Sequence, residues 1–289
     1  MPSTLTKIDE FEFNLTPIES LTIPSKVISI CSHCLDKCKL LRKVNVSMNS
    51  QLQFLDEYAF HSSPIESFTI PSKLISINNH SFDECKQLRK VNVSMNSQLQ
   101  FLGEYTFQSS PIKSFTIPQN LIQIKEGCFE NCEKLRKIEV AIIPSYIKRI
   151  SQNAFSICKG LKSIEFEPNS MLIEIGKRAF SKTSIKSLSI PPSVMKINEN
   201  AFAYCGNLRI VEIDENSNLK NLDPYTFFNS MVEVIMIPFS KNRLTRIEFV
   251  FYTVDNDNDQ YWFDDVVYDD DDEYDEERFF EEEDPEEDF

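Results

Sequence analysis

Apolar residues recur along most of this chain in one short frame, L-x-x-[IVLF]-x-[IVF]. In the copy beginning at Leu41, Val44 and Val46 alternate with Lys43 and Asn45, the period of two expected of a half-buried strand. The frame begins at Ile18, Leu41, Ile65, Leu88, Ile112, Leu135, Leu161, Ile185, Leu208 and Val232, with spacings of 23, 24, 23, 24, 23, 26, 24, 23 and 24 residues. A second apolar group follows each strand: Leu52, Leu55 and Phe60; Ile75, Ile77 and Phe82; Leu99, Leu102 and Phe107. The Phe position recurs as Phe129, Phe155, Phe180, Phe202 and Phe227, with Leu35 standing in once. The segment before each Phe, such as Asp56-Glu57-Tyr58-Ala59, is predicted to form a short helical or 3-10 turn.

A period of 23–24 residues sustained over this length marks a repeat architecture. Residues 41–64 and 88–111 are nearly identical, offset by 47, and each such block holds two unit types. One resembles PIESFTIPSK, with Pro24, Pro71, Pro118, Pro191 or Pro238 just after the strand; the other resembles LRKVNVSMNSQ, with an Asn-Ser turn. The alternation slips near residue 141, where the strand LRKIEV of the second type runs into the IIPS linker of the first, which accounts for the 26-residue spacing. The slip reads as a recombination scar. A single unit cannot bury its apolar residues, whereas stacked units align them into continuous columns with strands ~4.8 Å apart. The expected fold is therefore a solenoid over 1–254. Its first unit is truncated, since Leu5, Ile8, Phe13 and Pro17 align with Leu52, Leu55, Phe60 and Pro64, and this start is compatible with end-to-end self-association. Residues 239–254, with Leu244, Ile247, Phe249 and Phe251, are expected to form a closing turn or cap.

Charge changes the picture at the C-terminus. Of 45 acidic and 30 basic residues, 20 acids and one base (Arg278) lie in 255–289, leaving 25 acids and 29 bases in 1–254. The body is near +4 and the tail −19, and runs such as DDDDEYDEE are expected to be disordered because like charges repel. The tail is also expected to fold back on basic stripes of the body in a salt-dependent way. This balance argues against nucleic acid as a partner. No run of 18 apolar residues suggests a transmembrane helix, and the polar, acidic stretch Met1 to Phe13 does not read as a signal peptide.

The unit L-x-x-[IV]-x-[IV]-P-x-x-x-x-x-I-x-x-x-[AC]-F-x-x-C, seen from Leu161 to Cys205 and with variations over about residues 5–238, resembles the BspA-like class of leucine-rich repeat. The resemblance implies a curved right-handed leucine-rich-repeat solenoid with a parallel sheet on its concave face. It also implies adhesion, host-matrix binding or antigen display at the surface of mucosal microbes and parasitic protists. It brings no catalytic residues, and a cell-surface location by resemblance stands against a cytoplasmic one suggested by the lack of signal and anchor.

Candidate chemistry is sparse. Cys38, Cys85, Cys132, Cys158 and Cys205 fall three residues after the Phe position, where Ser63, Ser110, Thr183 and Ser230 occur in other units. Cys34 and Cys128 occupy the small position before it, as Ala59 and Ala154 do. They read as buried structural thiols; only Cys132 and Cys158, brought onto adjacent units by the slip, are placed to pair. The cluster Cys31, His33, Cys34 and Cys38 is a weak zinc reading, since the repeat explains two of its members. No metal or cofactor is expected, and no phosphate loop or nucleophile elbow occurs. Asn14, Asn45, Asn79 and Asn92 head N-x-S/T sequons that read as chance.

The remaining signal is on the sheet's outward face, where basic stripes should alternate with hydroxyl stripes. Arg42, Lys43, Asn45, Thr69, Arg89, Lys90, Asn92, Thr116, Arg136 and Lys137 are the candidate recognition residues there. The expected function is non-catalytic binding of a protein ligand, such as a host or matrix protein. The alternative is an intracellular scaffold whose acidic tail binds basic proteins, in the manner of a histone or ribosomal-protein chaperone.

Overall fold

In the computed structural model, the described residues are 4–47, 49–138, 142–214 and 216–236. Contacts divide the chain into two units, Met1–Thr253 and Val254–Phe289, and every described residue belongs to the first. The expected cap at 239–254 and the tail at 255–289 lie outside the described residues.

The first unit is a parallel-strand solenoid of about 10 coils. Strands of the repeated frame pair in parallel with their counterparts in neighbouring units, forming a long ladder made of several sheets. Ser20–Ile23 lies against Lys43–Val46 in the register Ser20↔Lys43 to Ile23↔Val46. Ser67–Ile70 likewise faces Lys90–Val93, and Ser187–Ile190 faces Ile210–Ile213. The alternation decides the faces: Leu21, Ile23, Phe68 and Ile70 are buried, whereas Ser20, Thr22, Ser67 and Thr69 are exposed. A one-residue shift of register would turn every one of these side chains over.

The second apolar group also forms a parallel ladder, of two-residue strands. Lys7–Ile8, Ser29–Ile30, Phe54–Leu55, Ser76–Ile77 and Phe101–Leu102 pair in succession. Gln123–Ile124, Arg149–Ile150, Glu174–Ile175, Lys196–Ile197 and Asn221–Leu222 continue the series. The truncated first unit enters this ladder through Ile8, which is buried, with Leu5 and Phe13 packed against the core. Between the ladders the Phe positions stack ring on ring. Phe60–Phe82, Phe82–Phe107, Phe129–Phe155, Phe155–Phe180 and Phe180–Phe202 have centroids 5.2, 5.5, 5.2, 5.2 and 5.3 Å apart and near-parallel planes.

The segments before each Phe are not helical or 3-10 turns. They are turns carrying a left-handed residue two positions before the Phe and another two after it, as at Tyr58 and Ser62 (φ 56° and 53°) or His80 and Glu84 (55° and 53°). The hydrogen bonds give the reason. Ala59, His61 and Ser63 donate their N–H groups back to Asp56, Tyr58 and Phe60 within the turn. Tyr58, Phe60 and Ser62 donate to Asn79, Ser81 and Asp83 of the next coil. A helix would satisfy all these N–H groups internally. Here alternate groups are committed to the neighbouring coil, which requires backbone that zigzags between right- and left-handed conformations.

The slip also has a structural form. Lys137–Ile138 pairs backward with Ser114–Phe115, and Ile142–Ile143 pairs forward with Glu165–Phe166. Residues 139–141 between these two short strands lie outside the described residues, while the short ladder runs on through the pair Gln123↔Arg149.

Candidate recognition face

The outward side of the long ladder presents three parallel columns. The first, built from the opening residue of each strand, runs Ser20–Lys43–Ser67–Lys90 and Ser114–Lys137, with these neighbours fixed by pairing register; the bond from Lys113 N–H to Arg89 O brings Ser114 next after Lys90. The second runs Thr22–Asn45 and Thr69–Asn92, with Thr116 next in the repeat. Within it Asn45 Nδ2 donates to Thr22 Oγ1 at 3.3 Å and Asn92 Nδ2 to Thr69 Oγ1 at 3.3 Å, so each amide is oriented by the hydroxyl beside it. Lys43, Asn45, Thr69, Lys90 and Thr116 are exposed and Asn92 is half-buried. For Lys137 only the strand position, opposite Ser114, is described. These two columns alternate as the unit types do.

The third column lies one residue before the strands and holds Arg42, Arg89 and Arg136. Its order follows from backbone hydrogen bonds: Arg42 N–H donates to Glu19 O, Glu66 to Arg42 O, Arg89 to Glu66 O, Lys113 to Arg89 O and Arg136 to Lys113 O. Arg42 thus sits between two glutamates and pairs with Glu66 at 3.6 Å. Beyond Glu66 the alternation stops, because Lys113 stands where Glu19 and Glu66 stand in earlier coils. Reading the strands one at a time misses Lys113. Its signal in the sequence is Pro111-Ile112-Lys113-Ser114 in place of Pro64-Ile65-Glu66-Ser67.

The flank of the turns carries the histidines. His33 Nδ1 and His61 Nδ1 lie 3.2 and 2.8 Å from the two oxygens of buried Asp36, and His80 Nδ1 lies 3.0 Å from Asp83. The rings of Phe11, His33, Tyr58, His80 and Tyr105 stack in sequence at 4.7–5.1 Å. Ser62 Oγ is 3.3 Å from His61 Nε2, which gives Ser62, His61 and Asp36 the connectivity of a Ser-His-Asp array. Acyl transfer also needs N–H donors aimed at a developing oxyanion. The N–H groups of Ser62 and Ser63 are already donated to Asp83 O and Phe60 O, and Ser62 Oγ donates to Glu84 Oε2. The array therefore reads as turn packing.

The eight cysteines are free and buried. Five of them do more than fill space. The thiols of Cys38, Cys85, Cys132, Cys158 and Cys205 donate to the carbonyls of Phe13, Phe60, Phe107, Phe129 and Phe180, the Phe position one coil back. Ser63, Ser110 and Ser230 make the same bond with Oγ, to Leu35, Phe82 and Phe202. Burial pushes the Cys34 thiol up to about 12 and also raises those of Cys85, Cys128, Cys132 and Cys158. The zinc reading of the first cluster fails on its contacts, since Cys38 is committed to Phe13 and His33 to Asp36. Among the described residues no group of three or more His, Cys, Asp or Glu is arranged to hold a metal ion.

The BspA type leucine rich repeat region matches residues 6–136 and 136–253 in 6 copies. The chain belongs to the BspA-type leucine-rich-repeat family. BspA-type repeats and the fold are of a non-enzymatic, protein-binding kind. Solved structures are similar, two of them as follows. One is a leucine rich cell surface protein from Faecalibacterium prausnitzii (TM-score 0.52, 21% identity, covering 80% of this chain and 63% of that one). The other is a leucine-rich repeat protein from Bacteroides ovatus (TM-score 0.56, 22% identity, 78% and 56%). The chain thus spans less than two thirds of either structure's length. No curated protein matches the sequence. No helix among the described residues is long and apolar enough to cross a membrane.

Proposed function

We propose that this BspA-type protein is a non-catalytic adhesion or antigen-display protein that engages a protein ligand on the outward face of the long ladder. The contact residues would be Arg42, Lys43, Asn45, Thr69, Arg89, Lys90, Asn92, Thr116, Arg136 and Lys137. The observation that carries the reading is the register of this face: hydroxyl, amide and cationic side chains recur on neighbouring paired strands. That preorganisation lowers the entropy lost on binding. The family and the resemblance to a protein named as a cell surface protein support a surface role.

The test is binding of the full chain to a panel of purified extracellular-matrix proteins, comparing wild type with the double variant Thr69→Tyr, Thr116→Tyr. These bulky, uncharged changes at exposed positions should weaken a bound matrix protein by about tenfold, the scale of one hot-spot contact. Unchanged affinity would remove this face from the reading. Protease shaving of sealed source cells, read with an antibody to the repeats, tests location: full protection until lysis overturns a surface role.

A further inference from the structure

The short ladder has an outward side of its own. In each coil its buried residues leave two adjacent positions facing out, such as Ile28-Ser29 between Val27 and Ile30. Backbone bonds set successive coils side by side: Gln53 N–H donates to Ile28 O, Ile75 N–H to Gln53 O and Gln100 N–H to Ile75 O. The pairings Ser29↔Phe54, Phe54↔Ser76 and Ser76↔Phe101 fix the same register. Ile122 belongs to the next coil, whose Lys125 Nζ lies 5.0 Å over the Phe101 ring. Ile28, Phe54, Phe101 and Ile122 are 39, 37, 38 and 57% exposed, and Ile75 among them is half-buried. The other outward residue in each of these coils is Ser or Gln, so the strip bears no charge. The equivalent pairs elsewhere are all charged: Thr6-Lys7 before the strip, and Lys148-Arg149, Ile173-Glu174, Met195-Lys196 and Lys220-Asn221 after it.

Exposed faces are ordinarily charged, which keeps a protein soluble, and contiguous exposed apolar side chains mark contact sites. Lysines rim this strip. Lys148 N–H donates to Ile122 O, which sets Lys148 at one end. Lys26 and Lys73 stand along one edge, directly before buried Val27 and Leu74. Lys7 and Arg149 pair with Asp9 and Glu174, whereas Lys26, Lys73 and Lys148 form no ion pair among the described residues. Asp56, on the opposite edge, accepts a hydrogen bond from Asn78 Nδ2 at 3.3 Å. We propose that the strip docks a short segment of a partner protein, apolar at its centre and acidic at its ends. The uncharged floor selects the apolar centre, and the unpaired lysines select the acidic ends by charge complementarity. Size selects a segment: a strip ~19 Å long and two residues wide offers on the order of 200 Å², against the ~800 Å² each partner buries in a stable interface. A second copy fits poorly, since a two-fold axis at Ile75 would bring Lys7 towards Lys148 of the other copy. A bilayer needs apolar side chains that reach ~5 Å or more below its surface. Those of the strip lie low in the ladder, unlike Met95, which is 101% exposed, and the net charge of −15 repels anionic lipid. The strip shares no residue with the recognition face of the long ladder, so either reading can fail alone.

The probe is a phage-displayed library of random peptides, selected on the full chain and followed by titration of the enriched sequences as synthetic peptides. Enriched peptides are expected to hold apolar residues between Asp or Glu. The double variant Phe54→Ser, Phe101→Ser should weaken their binding about tenfold or more, and Lys26→Glu, Lys73→Glu about fivefold or more. Met171→Ser, an exposed apolar change off the strip, should stay within about twofold. Far-UV circular dichroism checks that the variants fold, and the lysine pair supplies a second arm where the serines unsettle the ladder. Failure to enrich such peptides, or equal binding by wild type and both double variants, overturns the strip as a peptide site. Self-association of wild type that the variants lose would assign the strip to a second copy. Phosphatidylcholine–phosphatidylserine vesicles bound by wild type and released by the same variants would assign it to a membrane. Either result overturns the partner segment.

Discussion

The position three residues after each Phe shows how a residue choice that looks permissive is constrained. Cys, Ser and Thr interchange there, and small size alone would also admit Ala or Val. In the structure, Cys85 Sγ donates to Phe60 O at 3.1 Å and Ser110 Oγ to Phe82 O at 2.8 Å. A buried carbonyl that loses a donor weakens the fold, whereas a hydroxyl can take over from a thiol. Cys85→Ser is therefore expected to stay within about 1 kcal/mol of wild type in urea melts, and Cys85→Val to cost more, although valine restores the apolar volume. Equal stability of the two variants would show that only volume matters. Gly127 is a second constrained position: its φ of +53° suits glycine, and a Cβ there would lie 2.1 Å from the Tyr105 ring.

At the scale of the element, the left-handed turn is the part of each unit that the residue pattern did not reveal. Its side chains form a second set of columns, and one of them holds a carboxyl with unusual chemistry. Glu130, directly after Phe129, is pushed up to about 7 by burial, then by the neighbouring Glu126 carboxylate, with Arg178 and a hydrogen bond from Gln108 Nε2 (3.2 Å) opposing. A carboxyl that is harder to ionise in the folded chain than in the unfolded one binds its proton more tightly when folded. Its contribution to stability is therefore present at low pH and is lost as pH rises from the ordinary carboxylate value, 4.5, to about 7. Glu130→Gln should abolish that part of the decline. The difference between wild-type and variant denaturation midpoints across this range isolates it from the histidines. A difference that does not change with pH would mean Glu130 ionises normally.

At the scale of the molecule, stability is close to a sum of neighbour contacts along one axis, so continuity matters more than any single coil. The Phe stack and the short ladder cross the slip near residue 141, whereas among the described residues the long ladder is divided: Ser20–Ile23, Lys43–Val46, Ser67–Ile70 and Lys90–Val93 form one sheet, and Ser114–Phe115 with Lys137–Ile138 and Ile142–Ile143 with Glu165–Phe166 form separate two-stranded pieces. Amides of Ser114–Phe166 on the long-ladder side should exchange faster than those of Ser67–Val93 under native conditions, because local opening there breaks fewer ladder bonds. Uniform protection along the long ladder, measured by hydrogen exchange, would show that the stack alone sets cooperativity. The cation column of Arg89, Lys113 and Arg136 also exists only at this scale, since its members are 23 or 24 residues apart in the chain.

The sequence by itself determined the repeat, its period, the strands of the long ladder, which strand residues face inward and the column of Phe rings. All of these follow from the spacing of apolar residues, because burial of apolar surface is the main force driving the chain to fold and side chains alternate along a strand. It also marked the slip, through a spacing of 26 residues, and the thiol positions, through their exchange with Ser and Thr. The tertiary structure decided what depends on hydrogen bonds between coils. It turned the segments before Phe into left-handed turns instead of helical ones, since alternate N–H groups go to the next coil. It made the second apolar group a ladder of its own and gave the thiols their carbonyl partners. It also set the register that brings cations from successive units side by side, because polar residues on the outward face leave no periodic signature of which neighbours they will meet.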